Sequence, residues 1–196
     1  TDMARIQFRM LNRSKGPAVW SPRAQCDRAL YRRAVRQLLE ARPNLHFAQG
    51  TAASFVIREG RIAGVVTNEG LTIEARAVVL TAGTFLRGAI HVGLDSKVPA
   101  GRVGEAPSGE ISEAIAAHGI TRERFKTGTP PRIDGRTVRL GGLTRQDGDV
   151  GTYWFSQYGR AVHPAQLPCY LTWAGAEVKE IIQRHLRESA LYGGAI

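Results

Sequence analysis

Between Ala24 and Ala41 the apolar residues Ala29, Leu30, Ala34, Leu38 and Leu39 recur at helical spacing, and Arg28, Arg32, Arg33 and Arg36 take much of the rest. The pattern predicts an amphipathic helix. Pro22, just ahead of the periodic stretch, suits a helix's opening turn. Asp27 lies near that turn, where a carboxylate complements the helix dipole, and Arg42-Pro43-Asn44 stops the helix. Residues 5 to 22 show no such period and read as irregular and basic. After the helix the pattern changes. Leu45-His46-Phe47-Ala48 is a short strand candidate. Ser54-Phe55-Val56-Ile57 turns through Glu59-Gly60 into Ile62 to Thr67, which turns through Asn68-Glu69-Gly70 into Leu71 to Ala75. Glycine after a polar residue, between β-branched runs, is hairpin chemistry. Residues 53 to 75 are therefore expected to form an antiparallel meander.

Ala77-Val78-Val79-Leu80-Thr81 is an uninterrupted apolar run, the pattern of a central strand covered on both faces. It runs into Ala82-Gly83-Thr84, a small-residue turn of the kind that open α/β sheets place beside ligands. Residues 93 to 109 read as a glycine- and proline-rich loop. Ser108 and Ser112 are candidate caps for a helix over Ile111 to His118, ended by Gly119. Leu167 to Trp173 reads as a strand. Glu177 to Leu191 reads as an amphipathic helix with Val178, Ile181, Ile182 and Leu186 on one face.

Charge changes this picture. The 196 residues carry a formal net charge of +10, mostly from arginine, which favours a polyanionic partner or phosphate-bearing cofactors. No stretch approaches the roughly 20 apolar residues of a membrane-spanning helix. Thr1 to Arg5 lacks the apolar run of a secretory signal and reads as the middle of a longer sequence. Cys26 and Cys169 form neither a disulfide framework nor a metal-ligand spacing, so a cytoplasmic setting is expected.

Three segments carry candidate chemistry. Ala82-Gly83 lets backbone approach a ligand closely, against the plainer reading of a tight turn. Gly101 to Ser108 offers backbone N–H groups, Arg102 and a serine to a phosphate, against a plain surface loop. Lys126 to Arg132 sets basic side chains around two prolines, as a phosphate grip or as a stiff linker. A full Gly-x-Gly-x-x-Gly fingerprint is missing from the sequence. Cys26 and Cys169 read as small apolar residues, and Tyr153 and Trp154 as core aromatics.

Five strings stand out: Phe8 to Val19; Arg23 to Arg28 with Tyr31-Arg32; Val78 to Leu86; Lys126 to Ile133; and Pro168 to Thr172. Together they resemble the glucose-inhibited division protein A family of tRNA wobble-uridine modification enzymes. The match is weakest between Thr137 and Gln166. The resemblance implies an α/β fold: residues 1–132 as part of a glutathione-reductase-like FAD-binding domain with the meander inside it, and 133–196 as part of an inserted α/β domain linked to NADH. It implies installation of a carboxymethylaminomethyl or aminomethyl group at C5 of the wobble uridine of tRNA. FAD, NADH and methylene-tetrahydrofolate would serve the reaction, with a GTPase partner of the tRNA modification protein E type and a homodimer within a heterotetramer. A wobble base lies in a single-stranded loop and can be extruded without melting a duplex.

The resemblance also places contacts. Ala52 falls at an FAD contact made through the backbone, Ser108 at a second, and Thr81, Ala82 and Gly83 at the turn passing near the flavin. Arg9, Lys15 and Arg23 are candidate phosphate or tRNA contacts. The family's glycine-rich fingerprint is expected before Thr1, and a Gly-Pro-x-Tyr-Cys-Pro-Ser motif after Ile196. No catalytic residue is therefore expected within these residues. Rival readings are a folate- and FAD-dependent tRNA (uracil-5-)-methyltransferase, a non-catalytic basic RNA-binding module, and a stand-alone NAD-binding protein.

Overall fold

The computed structural model describes residues 1–128, 130–149, 153–157 and 162–196. The chain divides into two compact units, each built from two segments: residues 1–47 with 132–173, and residues 48–131 with 174–196.

In the first unit, β1 (Arg5–Leu11) and β2 (Ser21–Cys26) pair antiparallel, with Phe8 opposite Ala24 and Arg9 opposite Arg23. Residues 5–22 are thus a hairpin, not an irregular stretch. Its period is hidden because Arg5 and Gln7 are buried along with Phe8 and Met10. Each of those polar side chains is bonded: Arg5 Nη1 donates to the Tyr153 carbonyl at 3.2 Å, and Gln7 Nε2 to that of Gln146 at 3.4 Å. A hydrophobicity pattern cannot register a paired polar group in a core. Pro22 lies within β2 opposite Met10, which an edge strand tolerates.

The helix starts later than the pattern predicts. Helix α1 (Arg28–Glu40) opens on Asp27, whose carboxylate accepts from the Leu30 N–H at 2.8 Å. Cys26 accordingly sits on β2. Residues 45–48 form no strand; Phe47 instead lies under the Arg36 guanidinium, 5.3 Å from ring centroid to Cζ. Later in the unit, β8 (Thr144–Gln146) pairs with β9 (Cys169–Leu171). The free outer edge of β1 is covered by the same segment: the Phe8 carbonyl accepts from Asp149 N at 2.7 Å, and that of Ile6 from Leu167 N at 2.6 Å. Phe8, 1% exposed, centres this small core, with the rings of Tyr153 and Phe155 at 6.4 and 5.9 Å.

The second unit contains the expected meander: β3 (Ala52–Arg58), β4 (Arg61–Thr67) and β5 (Thr72–Glu74), in that order. Glu59 and Gly60 both have positive φ, 51° and 73°, which matches the twist a two-residue hairpin needs. Helix α2 (Glu110–Ala117) packs on β3, with the Phe55 and His118 rings 6.3 Å apart and Ile111 buried. Gly119, at φ 79°, ends α2 as the pattern predicts. Its N–H reaches Ala116 and that of Ile120 reaches Ile115, a Schellman closure. The cap at the other end differs: Gly109 is the N-cap and no side chain bonds there, while Ser112 is buried inside the first turn.

Three further expectations are corrected. Residues 77–81 form no strand, and Val79 is 84% exposed. A strand exists only through a neighbour's hydrogen bonds, and no strand pairs with this run among the described residues. Part of the 93–109 loop is ordered as β7 (Ser96–Pro99), paired with β6 (Ala89–Val92). The last helix, α3 (Ala176–Arg184), stops at His185 and gives way to a 3₁₀ turn over Leu186–Glu188.

Candidate functional site

Five positions were expected near a cofactor, and the fold joins two of the segments that hold them. Ala82 caps a 3₁₀ turn over Gly83–Phe85, and Gly83 takes φ 55°. Immediately after it, the chain is clasped to Ser108. Ser108 N donates to the Phe85 carbonyl at 2.8 Å, and Arg87 N donates to the Ser108 carbonyl at 2.9 Å. Gly83 and Ser108, 25 residues apart in sequence, are therefore held in one loop cluster. Thr81 is exposed just ahead of the turn. Ala52 lies elsewhere in the unit, opening β3 opposite Thr67.

The glycines around this clasp do different work. A Cβ on Gly88 would run into the carbonyl oxygens of Thr84 and Ala100, and one on Gly101 into the Phe85 ring. Both are demanded by packing. Gly83 has nothing within 4 Å of the corresponding position, so its Cα faces open space. The 101–108 loop spends several of its donors internally: Gly101 N on the Glu105 carbonyl, Glu105 N on that of Arg102, and Ser108 N on Phe85. An anion at this loop would meet side chains more than backbone.

Those side chains are basic. Arg102 lies over the Phe85 ring at 5.7 Å. Arg87, strained into positive φ at 51°, pairs with Glu113 at 3.0 Å, and Arg122 pairs with the same carboxylate at 3.2 Å. Arg122 also holds the Ser112 hydroxyl at 2.8 Å, and Arg124 reaches the Arg87 carbonyl at 3.4 Å. The hydrogen bond from Arg122, with the charges of Arg122 and Arg87, holds the Glu113 carboxyl below the usual range. Sequence reasoning missed Arg87, Arg122 and Arg124, since only the fold brings residues 87, 113 and 122–124 together.

The basic residues expected to meet nucleic acid lie in the first unit. Arg9 and Arg23 face each other across β1–β2. Like charges directly opposite are unfavourable, and the structure moderates one of them: Arg9 Nη1 donates to the Asp147 carbonyl at 3.0 Å and lies 3.9 Å from Asp149. Arg23 lines an open groove of about 490 Å³ with Leu11, Pro22, Tyr31 and Phe155. Lys15 ends the 3₁₀ turn Arg13–Lys15 in the hairpin's exposed connection. Of the Lys126–Arg132 string, Thr129 lies outside the described residues. Cys26 and Cys169 are free thiols, both half-buried, and Trp154 stacks on His163 at 4.5 Å. Among the described residues no group of three or more His, Cys, Asp or Glu is placed to hold a metal ion, and no helix is long and apolar enough to cross a membrane.

The meander, the helix laid on it and the glycine turn clasped to its neighbouring loop define a mixed α/β protein built on small antiparallel sheets. Known proteins carry the identification further. The profile of the family described as glucose inhibited division protein A matches residues 1–196, and the chain belongs to that family. It is 48% identical, over its whole length, to the tRNA uridine 5-carboxymethylaminomethyl modification enzyme MnmG of Thermodesulfovibrio yellowstonii, and 46% identical to that of Phocaeicola vulgatus. The chain spans 31% of the length of each. The crystal structure of Aquifex aeolicus GidA superposes on all of the chain with a TM-score of 0.81 at 38% identity, over 33% of that protein.

Proposed function

We propose that this chain forms part of an FAD-dependent enzyme that modifies the wobble uridine of tRNA at C5, with residues 1–132 in the cofactor domain and 133–196 in an inserted domain. In this reading the enzyme installs an aminomethyl-type group, with NADH as reductant, methylene-tetrahydrofolate as one-carbon donor and a GTPase of the E type as partner. Kinship to enzymes named for tRNA uridine modification supports the substrate. The observation that carries the cofactor assignment is the clasp between Ser108 and the Phe85–Arg87 turn, which leaves Gly83 open.

The residues fit such a group. The open side of Gly83 admits close approach, as a planar ring or pyrophosphate requires. Arg102 and Arg124 stand in the same unit to offset phosphate charge. Bound there, the flavin would supply hydride transfer. The chain's own contribution is to position and enclose: the Thr81–Gly83 backbone and Ser108 set the distance of approach, and the Arg87–Glu113–Arg122 pairing fixes the loop behind them.

The test is flavin retention by the complete gene product. Purified protein should be yellow, with close to one flavin per chain. Ser108→Tyr, which puts a ring beside the clasp, should lower flavin occupancy several-fold. Unchanged stoichiometry and affinity in that variant would defeat the assignment of Ser108.

A further inference from the structure

Helix α1 carries a second basic surface that none of the expected contact residues belongs to. Arg28, Arg32 and Arg36 follow at four-residue spacing along one face, and Arg33 flanks them. Four residues of helix rise about 6 Å, so the guanidinium groups form a ladder along the axis. The face lies opposite Ala34, the buried residue of the helix. An open groove of about 470 Å³ runs between the side chains, lined by the four arginines and Ala29. The acids on the helix and at its cap are already engaged. Asp27 is occupied as the N-cap, and Glu40 binds Arg36 at 2.6 Å. Arg32 and Arg33 are exposed and have no acidic partner among the described residues. Like charges at this spacing destabilise a helix by roughly 0.2–0.5 kcal/mol per pair, a cost that an anionic partner along the face would remove.

We propose that this ladder binds the sugar-phosphate backbone of an RNA strand, with Arg32 and Arg33 each contacting a phosphate. The inference rests on the RNA-modifying reading above. Arginine forks match phosphate oxygens bidentately. The groove holds no large apolar side chain for a lipid tail, which separates it from a membrane-binding surface. The contact is one of position and affinity, without base recognition.

The probe is an unmodified tRNA transcript, titrated by fluorescence anisotropy into the complete gene product and its Arg32→Ala/Arg33→Ala variant across a range of salt. Two phosphate contacts to single-stranded RNA contribute about 1.4 to the slope of log affinity against log salt, which is roughly tenfold in affinity at about 0.2 M salt. The variant should show that loss and that shallower slope, with a melting temperature no lower than wild type and an unchanged flavin content. Arg32→Lys/Arg33→Lys keeps the charges and should keep the slope. An alanine variant with wild-type affinity and slope overturns the proposal. So does one that loses binding only to phosphatidylserine vesicles. Should the alanine variant melt early, Arg32→Gln/Arg33→Gln is read by the same two criteria. A wild-type protein that lacks flavin but shows the arginine-dependent slope would sink the cofactor assignment and leave this one standing.

Discussion

The two carboxylate oxygens of Asp2 accept the backbone N–H groups of Phe155 and Ser156 at 3.0 and 2.9 Å, and Arg5 approaches one of them at 3.9 Å. Arg5 is itself 2% exposed and lies over the Phe8 ring at 5.0 Å. Burial pulls its guanidinium below the ordinary range, against the opposing pull of Asp2 and Cys26. Removing one partner of such a pair leaves a buried charge and two unsatisfied donors. Asp2→Ala should therefore destabilise the protein by about 3 kcal/mol, read as a lowered melting temperature; Asp2→Asn, which keeps an acceptor, should cost less. A second residue-scale contrast concerns glycine. Gly88→Ala forces a Cβ into two backbone carbonyls and should sharply reduce soluble, folded protein. Gly83→Ala meets no neighbour and carries only the strain of left-handed φ, roughly 1–2 kcal/mol. Equal melting temperatures for the two variants would contradict the packing described around Thr84 and Ala100.

At the scale of elements, α2 is tied to the chain that follows it through Glu113. Its carboxyl is held below the usual range by Arg122 first, then by the charges of Arg122 and Arg87. A depressed carboxylate contributes stability that is fully present above its unfolded value, about 4.3, and is lost as pH falls through the folded value. Acid should thus loosen the Arg87–Glu113–Arg122 cluster only once the pH falls below the ordinary carboxylate range. Glu113→Gln should flatten the fall in melting temperature below about pH 4.3; a fall as steep as wild type would contradict this role. Elements were legible where their own residues define them. The β3–β4 turn needs positive φ, and Glu59-Gly60 announces it. Helix α2 stops where Gly119 allows a left-handed turn. The β1 strand was not legible because half of what it buries is polar. The 77–81 run forms no strand because apolarity alone does not make one; a neighbouring strand must supply the hydrogen bonds.

For the whole molecule, the order of the chain is not the order of the fold. Residues 132–173 return to the unit begun by residues 1–47. That segment hydrogen-bonds the outer edge of β1 and supplies the Tyr153 and Phe155 rings around Phe8. Excising 132–173 and joining the ends with a glycine-serine linker should expose that edge and ring, which invites aggregation. The expected result is strong binding of a hydrophobic dye and loss of soluble protein; a soluble, dye-silent deletion would refute the pairing. By itself the sequence determined the local elements with their own start and stop chemistry, the basic excess, and the strings that resemble one family. These are properties of neighbouring residues and of composition. Only the tertiary structure decided that Gly83 and Ser108 share a loop cluster, that Arg87, Arg122 and Glu113 converge, and that Arg9 faces Arg23. Such contacts join residues far apart along the chain, and hydrogen bonds between them depend on closure of the intervening segments, which no local pattern encodes.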